Sequence, residues 1–256
     1  MKTAFLCSGQ GSQYVGMIKD LSDNFPIIKQ LLSAADNILN YKISEICFNG
    51  PAETLQETRY TQPALFLHSL SVYELLKDKL NFDAIAGHSV GEYAALCIAG
   101  VLSFEDALKL VSTRGELMFA TGKQIPGTMF SVINLTDEKV IEICNKLNKP
   151  TEEMYFVPAN FNCPGQVVVS GNADYLRNNI NVFKEAGARL VVELKVSGAF
   201  HSPLMLPAYK ELAKVIEQTT FNNPTIPVYT NVDAKPNTDA ASIKKQLIEQ
   251  IISPVN

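Results

Sequence analysis

Residues 82-86, Phe82-Asp83-Ala84-Ile85-Ala86, read as a short buried strand, and Glu92-Tyr93-Ala94-Ala95-Leu96 read as the start of a helix. Between them lies Gly87-His88-Ser89-Val90-Gly91, and nothing else in the chain constrains the fold as strongly. A strand that turns sharply into a helix with a serine at the apex belongs to an α/β layer. The flanking glycines permit the tight backbone, and the amide after the serine can point at an oxyanion. The five-residue pattern alone arises by chance about once in ten chains of this length. Its place between a strand and a helix discards most chance matches.

The neighbouring segments repeat the alternation. Residues 3-7 read as a strand that ends in Ser8-Gly9-Gln10-Gly11-Ser12, a helical stretch follows near 25-39, and a second helix over roughly 62-80 leads to the serine motif. Strands alternating with helices indicate an α/β fold with a mainly parallel sheet. The rhythm then changes. The pattern predicts strand 128-133, helix 137-147, strands 155-159 and 166-170, helix 173-186 and strand 189-194, the βαββαβ order of a ferredoxin-like unit. Gly122 and Pro126 on one side and Ser197-Gly198 on the other are hinge candidates. The expected organisation is therefore a large domain from 1-124 and 196-256 with an inserted small subdomain at 125-195. The Pro/Asn-rich stretch 222-237 reads as loops around one short strand at 228-230.

Composition removes several function classes. At 256 residues with 46% hydrophobic and 19% charged residues, the chain has enough apolar material for a substantial core. A net charge of -4 offers no overall footprint for nucleic acid or an anionic membrane. The five cysteines are odd in number, scattered and never spaced C-x-x-C, as expected of reduced thiols in a cytoplasmic protein. No run approaches the ~20 apolar residues of a membrane helix, and the apolar start is too short for a signal peptide.

A serine nucleophile needs a base, and the chain has three histidines. His68 falls within a predicted helix, where a helix-face or core role is expected. His88 adjoins Ser89, and neighbouring side chains diverge. His201 sits in the loop Val196-Ser197-Gly198-Ala199-Phe200-His201-Ser202-Pro203 and is the candidate base. Arg114 is the third candidate. Ser103 and Asp106 begin a helix whose Phe104, Ala107, Val111 and Met118 share an apolar face, and Arg114 falls on that face. A guanidinium there must either reach solvent at an edge or pair with an anion, because a buried lone charge is very costly. Either a protein carboxylate or a substrate carboxylate would serve.

Together with Gly9-Gln10-Gly11-Ser12-Gln13, Arg59-Tyr60-Thr61-Gln62-Pro63-Ala64, Ala159-Asn160-Phe161-Asn162, Pro164-Gly165-Gln166 and Gln250 before Ser253-Pro254-Val255, these residues resemble the malonyl-CoA:acyl-carrier-protein transacylase family. Within it they look most like the free-standing acyltransferases of polyketide synthases. The resemblance implies a serine-hydrolase-like core with an inserted ferredoxin-like subdomain. It implies that Ser89 attacks the malonyl thioester, that His201 takes the serine proton and that Arg114 holds the free carboxylate. The amides of Gln10 and Val90 would form the oxyanion hole, the Gln250 carbonyl would orient His201, and Phe200 and Asn160 would line the substrate. Malonyl-CoA and a carrier protein, or the carrier domain of a polyketide synthase, are the implied partners of a monomeric enzyme, with no metal or redox cofactor.

Three other roles suit the same residues: malonyl transfer for fatty-acid synthesis, an editing hydrolase that strips acyl groups from carrier proteins, and a non-catalytic docking subunit. Arg114 speaks against the hydrolase, and the intact Ser89, His201 and Gln10 loop against the docking subunit. Two departures stand out. Cys7-Ser8 replaces the family's usual Phe-Pro, and the family pattern implies some tens of residues beyond Ser253-Pro254-Val255.

Overall fold

The computed structural model describes residues 2–256 and divides them into two compact units. One takes the chain up to Glu116 together with Leu212–Leu247, and the other comprises Leu117–Glu211 and Ile248–Asn256. Eight strands occur among the described residues: β1 (Ala4–Cys7), β2 (Ala84–Gly87), β3 (Gly127–Ile133), β4 (Phe156–Cys163), β5 (Gln166–Asn172), β6 (Leu190–Glu193), β7 (Val228–Tyr229) and β8 (Pro236–Asn237).

The first unit is built on the sheet β1-β2-β7-β8. β1 and β7 both pair parallel with β2, and β8 pairs antiparallel with β7. Parallel neighbours require a long crossover, supplied between β1 and β2 by helices that include Pro26–Leu39 and Thr58–Leu76. The register aligns Cys7 with Gly87 and Ala86 with Tyr229, so the chain leaves all three parallel strands at one end. That edge emits Ser8–Ser12, His88–Val90 and Thr230–Asn231, and the carboxyl end of parallel strands is where α/β folds place their chemistry. Ile85 and Val228 are fully buried on one face of this sheet, while Leu6 and Tyr229 on the other are exposed.

The helix expected over 62-80 runs instead from Thr58 to Leu76 with Pro63 inside it. Proline signals a helix start, which shifts the expected boundary towards Gln62. Thr58, Thr61, Gln62 and Pro63 are all buried, and tertiary packing holds the turn that precedes the proline.

In the second unit the sheet order is β4-β5-β3-β6, antiparallel throughout, with β3 central. Phe130, Val132, Val140, Ile143, Phe156, Val167, Leu176 and Phe183 form its core. Each fully buried phenylalanine there contributes about 1.5–3 kcal/mol. Thr136 caps the Asp137–Leu147 helix by accepting from the Lys139 amide at 3.3 Å. The second expected helix divides into Ala173–Asn179 and Val182–Glu185, because Asn178, Asn179 and Asn181 favour turns over helix interiors. Val255 adds a bridge to β4, donating to the Ala159 carbonyl and accepting from the Phe161 amide. The α/β class with a parallel sheet and a separate βαββαβ sheet is borne out. No helix among the described residues is long and apolar enough to cross a membrane.

Candidate active site

Ser89 occupies the turn between β2 and the Gly91–Ile98 helix with φ of 52°, in the left-handed region. A non-glycine residue there costs on the order of 1–3 kcal/mol and persists only where its surroundings hold it. Glycine on either side is a steric requirement. A Cβ on Gly87 would run into the Gly91 carbonyl, and one on Gly91 into the carbonyl of Cys7.

The turn is held by residues far off in sequence. The Ser89 amide donates to Asn231 Oδ1 at 2.7 Å, Asn231 Nδ2 donates to the Gly87 carbonyl at 2.7 Å, and the Asn231 amide donates to Glu92 Oε2 at 3.0 Å. Asn231 and Glu92 are both buried. Neither was among the candidate site residues that the sequence offered. The usable signal was that Thr230-Asn231 follows a third parallel strand and therefore opens on the same sheet edge as the serine.

Val90, buried, directly follows Ser89 and begins the helix. Gln10 lies in the loop after β1, its side chain donating to Thr58 Oγ1 at 3.3 Å. His88 is exposed. His68 is half-buried in the Thr58–Leu76 helix, and burial pushes its pKa below the ordinary histidine value.

Arg114 belongs to the Phe104–Gln124 helix, which starts as its sequence predicts, with the Asp106 amide donating to Ser103 Oγ at 3.0 Å. It is 1% exposed, and its Nη2 donates to Ser89 Oγ at 2.9 Å. The guanidinium also lies 5.6 Å from the centre of the Tyr93 ring. Burial pushes its pKa down, opposed by Tyr93 and Glu92. An arginine starts so far above neutrality that it stays charged. Because Ser89 Oγ accepts from Arg114, its own proton can be given to a base.

The other candidate residues lie in the second unit. His201, itself at positive φ and buried, lies within the tight turn that Ser202 Oγ closes by donating to the Ala199 carbonyl at 2.6 Å. Its Nδ1 is 2.9 Å from the Gln250 carbonyl and 3.1 Å from the Ser253 carbonyl. Both partners are acceptors, so Nδ1 carries the proton and Nε2 is the basic nitrogen. Gln250 starts a short 3-10 turn, and the Ser253 carbonyl is a second partner of the same nitrogen. Phe200 is buried beside the histidine, and Asn160 is buried in β4 opposite Val255.

All five cysteines are free. Burial pushes the thiols of Cys7, Cys47, Cys97 and Cys144 up to about 12, whereas Cys163 is exposed. Thiolate is the reactive form. A disulfide-exchange reagent at mildly alkaline pH is therefore expected to titrate one thiol per folded chain, mapped by peptide mass to Cys163, and five after denaturation. Rapid reaction of Cys7 would contradict the packing beneath the Gln10 loop.

A serine at a strained strand-to-helix turn, with a buried arginine donating to its hydroxyl, is the arrangement of a serine-dependent acyl-transfer site. The chain belongs to the acyl transferase domain family, which matches residues 4–256, and it is an acyltransferase. Within that family it groups with the malonyl-CoA:acyl-carrier-protein transacylases. It is 42% identical to the malonyl CoA-acyl carrier protein transacylase of Haemophilus influenzae, over 99% of this chain and 81% of that protein. Against the Bacillus subtilis protein of the same name the identity is 43%, over 99% and 80%. The malonyl CoA-acyl carrier protein transacylase of Coxiella burnetii superposes with a TM-score of 0.94 at 35% identity, covering 100% of this chain and 80% of that one. A malonyl-transacylase in complex with its type II polyketide synthase acyl-carrier protein superposes at 0.93 with 36% identity, covering 100% and 82%.

Proposed function

We propose that this enzyme moves a malonyl group from malonyl-CoA to the phosphopantetheine thiol of an acyl carrier protein through an ester on Ser89. The observation that carries the reading is the Arg114 Nη2 to Ser89 Oγ contact of 2.9 Å within a buried setting. An acyl group on that oxygen holding a carboxylate one methylene beyond its carbonyl would bring the carboxylate within reach of the guanidinium, which can grip it with two parallel hydrogen bonds. Acetyl offers nothing to that charge.

In the first half-reaction Ser89 Oγ attacks the thioester carbonyl, and His201 Nε2 takes its proton. The amides of Val90 and Gln10 receive the oxyanion. The tetrahedral carbon expels the coenzyme A thiolate, which recovers the proton from His201. In the second, the carrier thiol gives its proton to His201 and attacks the ester, and Ser89 leaves with that proton. Gln250 orients the imidazole, and Phe200 and Asn160 line the acyl group. Exchanging one thioester for another through an ester neither oxidises nor reduces carbon, so the chemistry calls for no redox cofactor, and the base and oxyanion donors supply the activation otherwise asked of a metal.

As carrier we infer a free-standing protein of the fatty-acid type, the reading the transacylase relatives support more broadly. The polyketide carrier that the family resemblance implies is supported by a similar structure. Intact-mass spectrometry after mixing with malonyl-CoA is expected to reveal a malonyl adduct that Ser89→Ala lacks and that a phosphopantetheinylated carrier discharges. Running fatty-acid and type II polyketide carriers side by side ranks the two. Release of free coenzyme A without a stable adduct would instead indicate a hydrolase.

A further inference from the structure

We infer that Asn231 is a positioning residue for the nucleophile: its side chain and main chain hold the strained Ser89 turn and occupy the Ser89 amide, leaving the oxyanion to other donors. The inference rests on Ser89 being the acyl-bearing residue.

The hydrogen bonds close a ring. Asn231 Oδ1 accepts from the Ser89 amide, Nδ2 donates to the Gly87 carbonyl, and the Asn231 amide donates to Glu92 Oε2. The Glu92 amide in turn donates to the Ser89 carbonyl at 3.1 Å. Both peptide groups flanking Ser89 are thereby tied to Asn231 or to its anchor Glu92, itself fully buried. A residue at φ of 52° relaxes to an ordinary conformation unless such ties oppose it, and relaxation would swing Oγ away from Arg114. A second consequence concerns the oxyanion. The Ser89 amide donates to Asn231 Oδ1 and is therefore already engaged.

The site demands a carboxamide. At one end it must accept from an amide and at the other donate to a carbonyl, and at neutral pH a carboxamide does both on a two-carbon reach. Aspartate fits the same space but presents an acceptor to the Gly87 carbonyl. Protonated aspartic acid regains the donor. The titratable groups around the position are Glu92 on the Gly91–Ile98 helix, Asp233 held by Thr230 Oγ1 at 2.9 Å, His88 in the serine turn, and Arg114 one hydrogen bond away through Ser89. Burial and the Glu92 carboxylate would both raise the pKa of an aspartate placed there.

The experiment measures two rates on the full chain: labelling by a fluorophosphonate, which reports the serine regardless of acyl donor, and single-turnover malonylation. Asn231→Ala is expected to lose about 10- to 100-fold in both, the scale of a lost buried hydrogen-bond pair. Asn231→Asp is expected to be equally slow near pH 8, yet its rate relative to wild type should climb about tenfold or more as pH falls to about 6, while the Asn231→Ala ratio stays flat. Taking the ratio cancels the titration of the base shared with wild type. If Asn231→Ala does not fold, the pH course of the Asn231→Asp ratio decides alone. Wild-type labelling rates in Asn231→Ala, or a folded Asn231→Asp whose ratio ignores pH, would overturn the inference. Wild type labelled by fluorophosphonate but not by malonyl-CoA would instead sink the malonyl reading, with the fluorophosphonate rates of the two variants still judging Asn231.

Discussion

Arg114→Ala is expected to lose the preference for malonyl over acetyl thioesters. In the wild type the guanidinium is already buried, so its desolvation cost is part of the folded state, and in the proposed reaction a malonyl carboxylate would meet a charge held in place. Without it, the carboxylate must shed water and find no cation, a penalty of about 3–5 kcal/mol in a dry site. At 1.36 kcal/mol per decade, that is about 10²–10⁴-fold in kcat/KM for malonyl. Acetyl carries no such group and should change little or improve. Arg114→Met keeps much of the side-chain volume and separates lost charge from lost packing. Arg114→Lys should fall between, since an ammonium cannot grip a carboxylate with two parallel bonds. Competition between malonyl-CoA and acetyl-CoA, read by intact mass, is the measurement. An unchanged preference would remove the carboxylate clamp from the mechanism.

His201→Ala is expected to slow acylation by about 10²–10⁴-fold while leaving the fold intact. Two carbonyls 2.9 and 3.1 Å from Nδ1 hold the ring in one tautomer, with Nε2 as its basic nitrogen. Removing the ring leaves the Gln250 and Ser253 carbonyls to water. The residual reaction then depends on hydroxide or solvent to take the serine proton, and its rate should climb steadily with pH above neutrality. Single-turnover malonylation across pH provides the check. A variant within tenfold of wild type with an unchanged pH profile would require another base.

Much of this molecule was legible in its residues. The βαββαβ unit follows from the change between helical and two-residue periodicity, and the observed strands Gly127–Ile133 and Gln166–Asn172 begin within a residue of the expected ones. The serine turn was marked by its two glycines, whose missing Cβ atoms are a steric demand that composition alone expresses. Arg114 announced itself because a charge on an apolar helix face has few inexpensive explanations. The start of the Thr58–Leu76 helix was misplaced because a local rule about proline competed with packing that no local window contains.

What the sequence determined by itself was therefore whatever depends on neighbours along the chain: periodicity, caps, turn glycines and the residue types able to carry acyl-transfer chemistry. Only the tertiary structure decided what depends on neighbours in space. Asn231 reaches Ser89 across 142 positions because three parallel strands end together, and two backbone carbonyls, 49 and 52 positions beyond His201, determine which of its nitrogens is the base. A carbonyl belongs to every residue and leaves no mark in a sequence, and an asparagine in a polar loop looks like any turn residue until the sheet brings it to the serine.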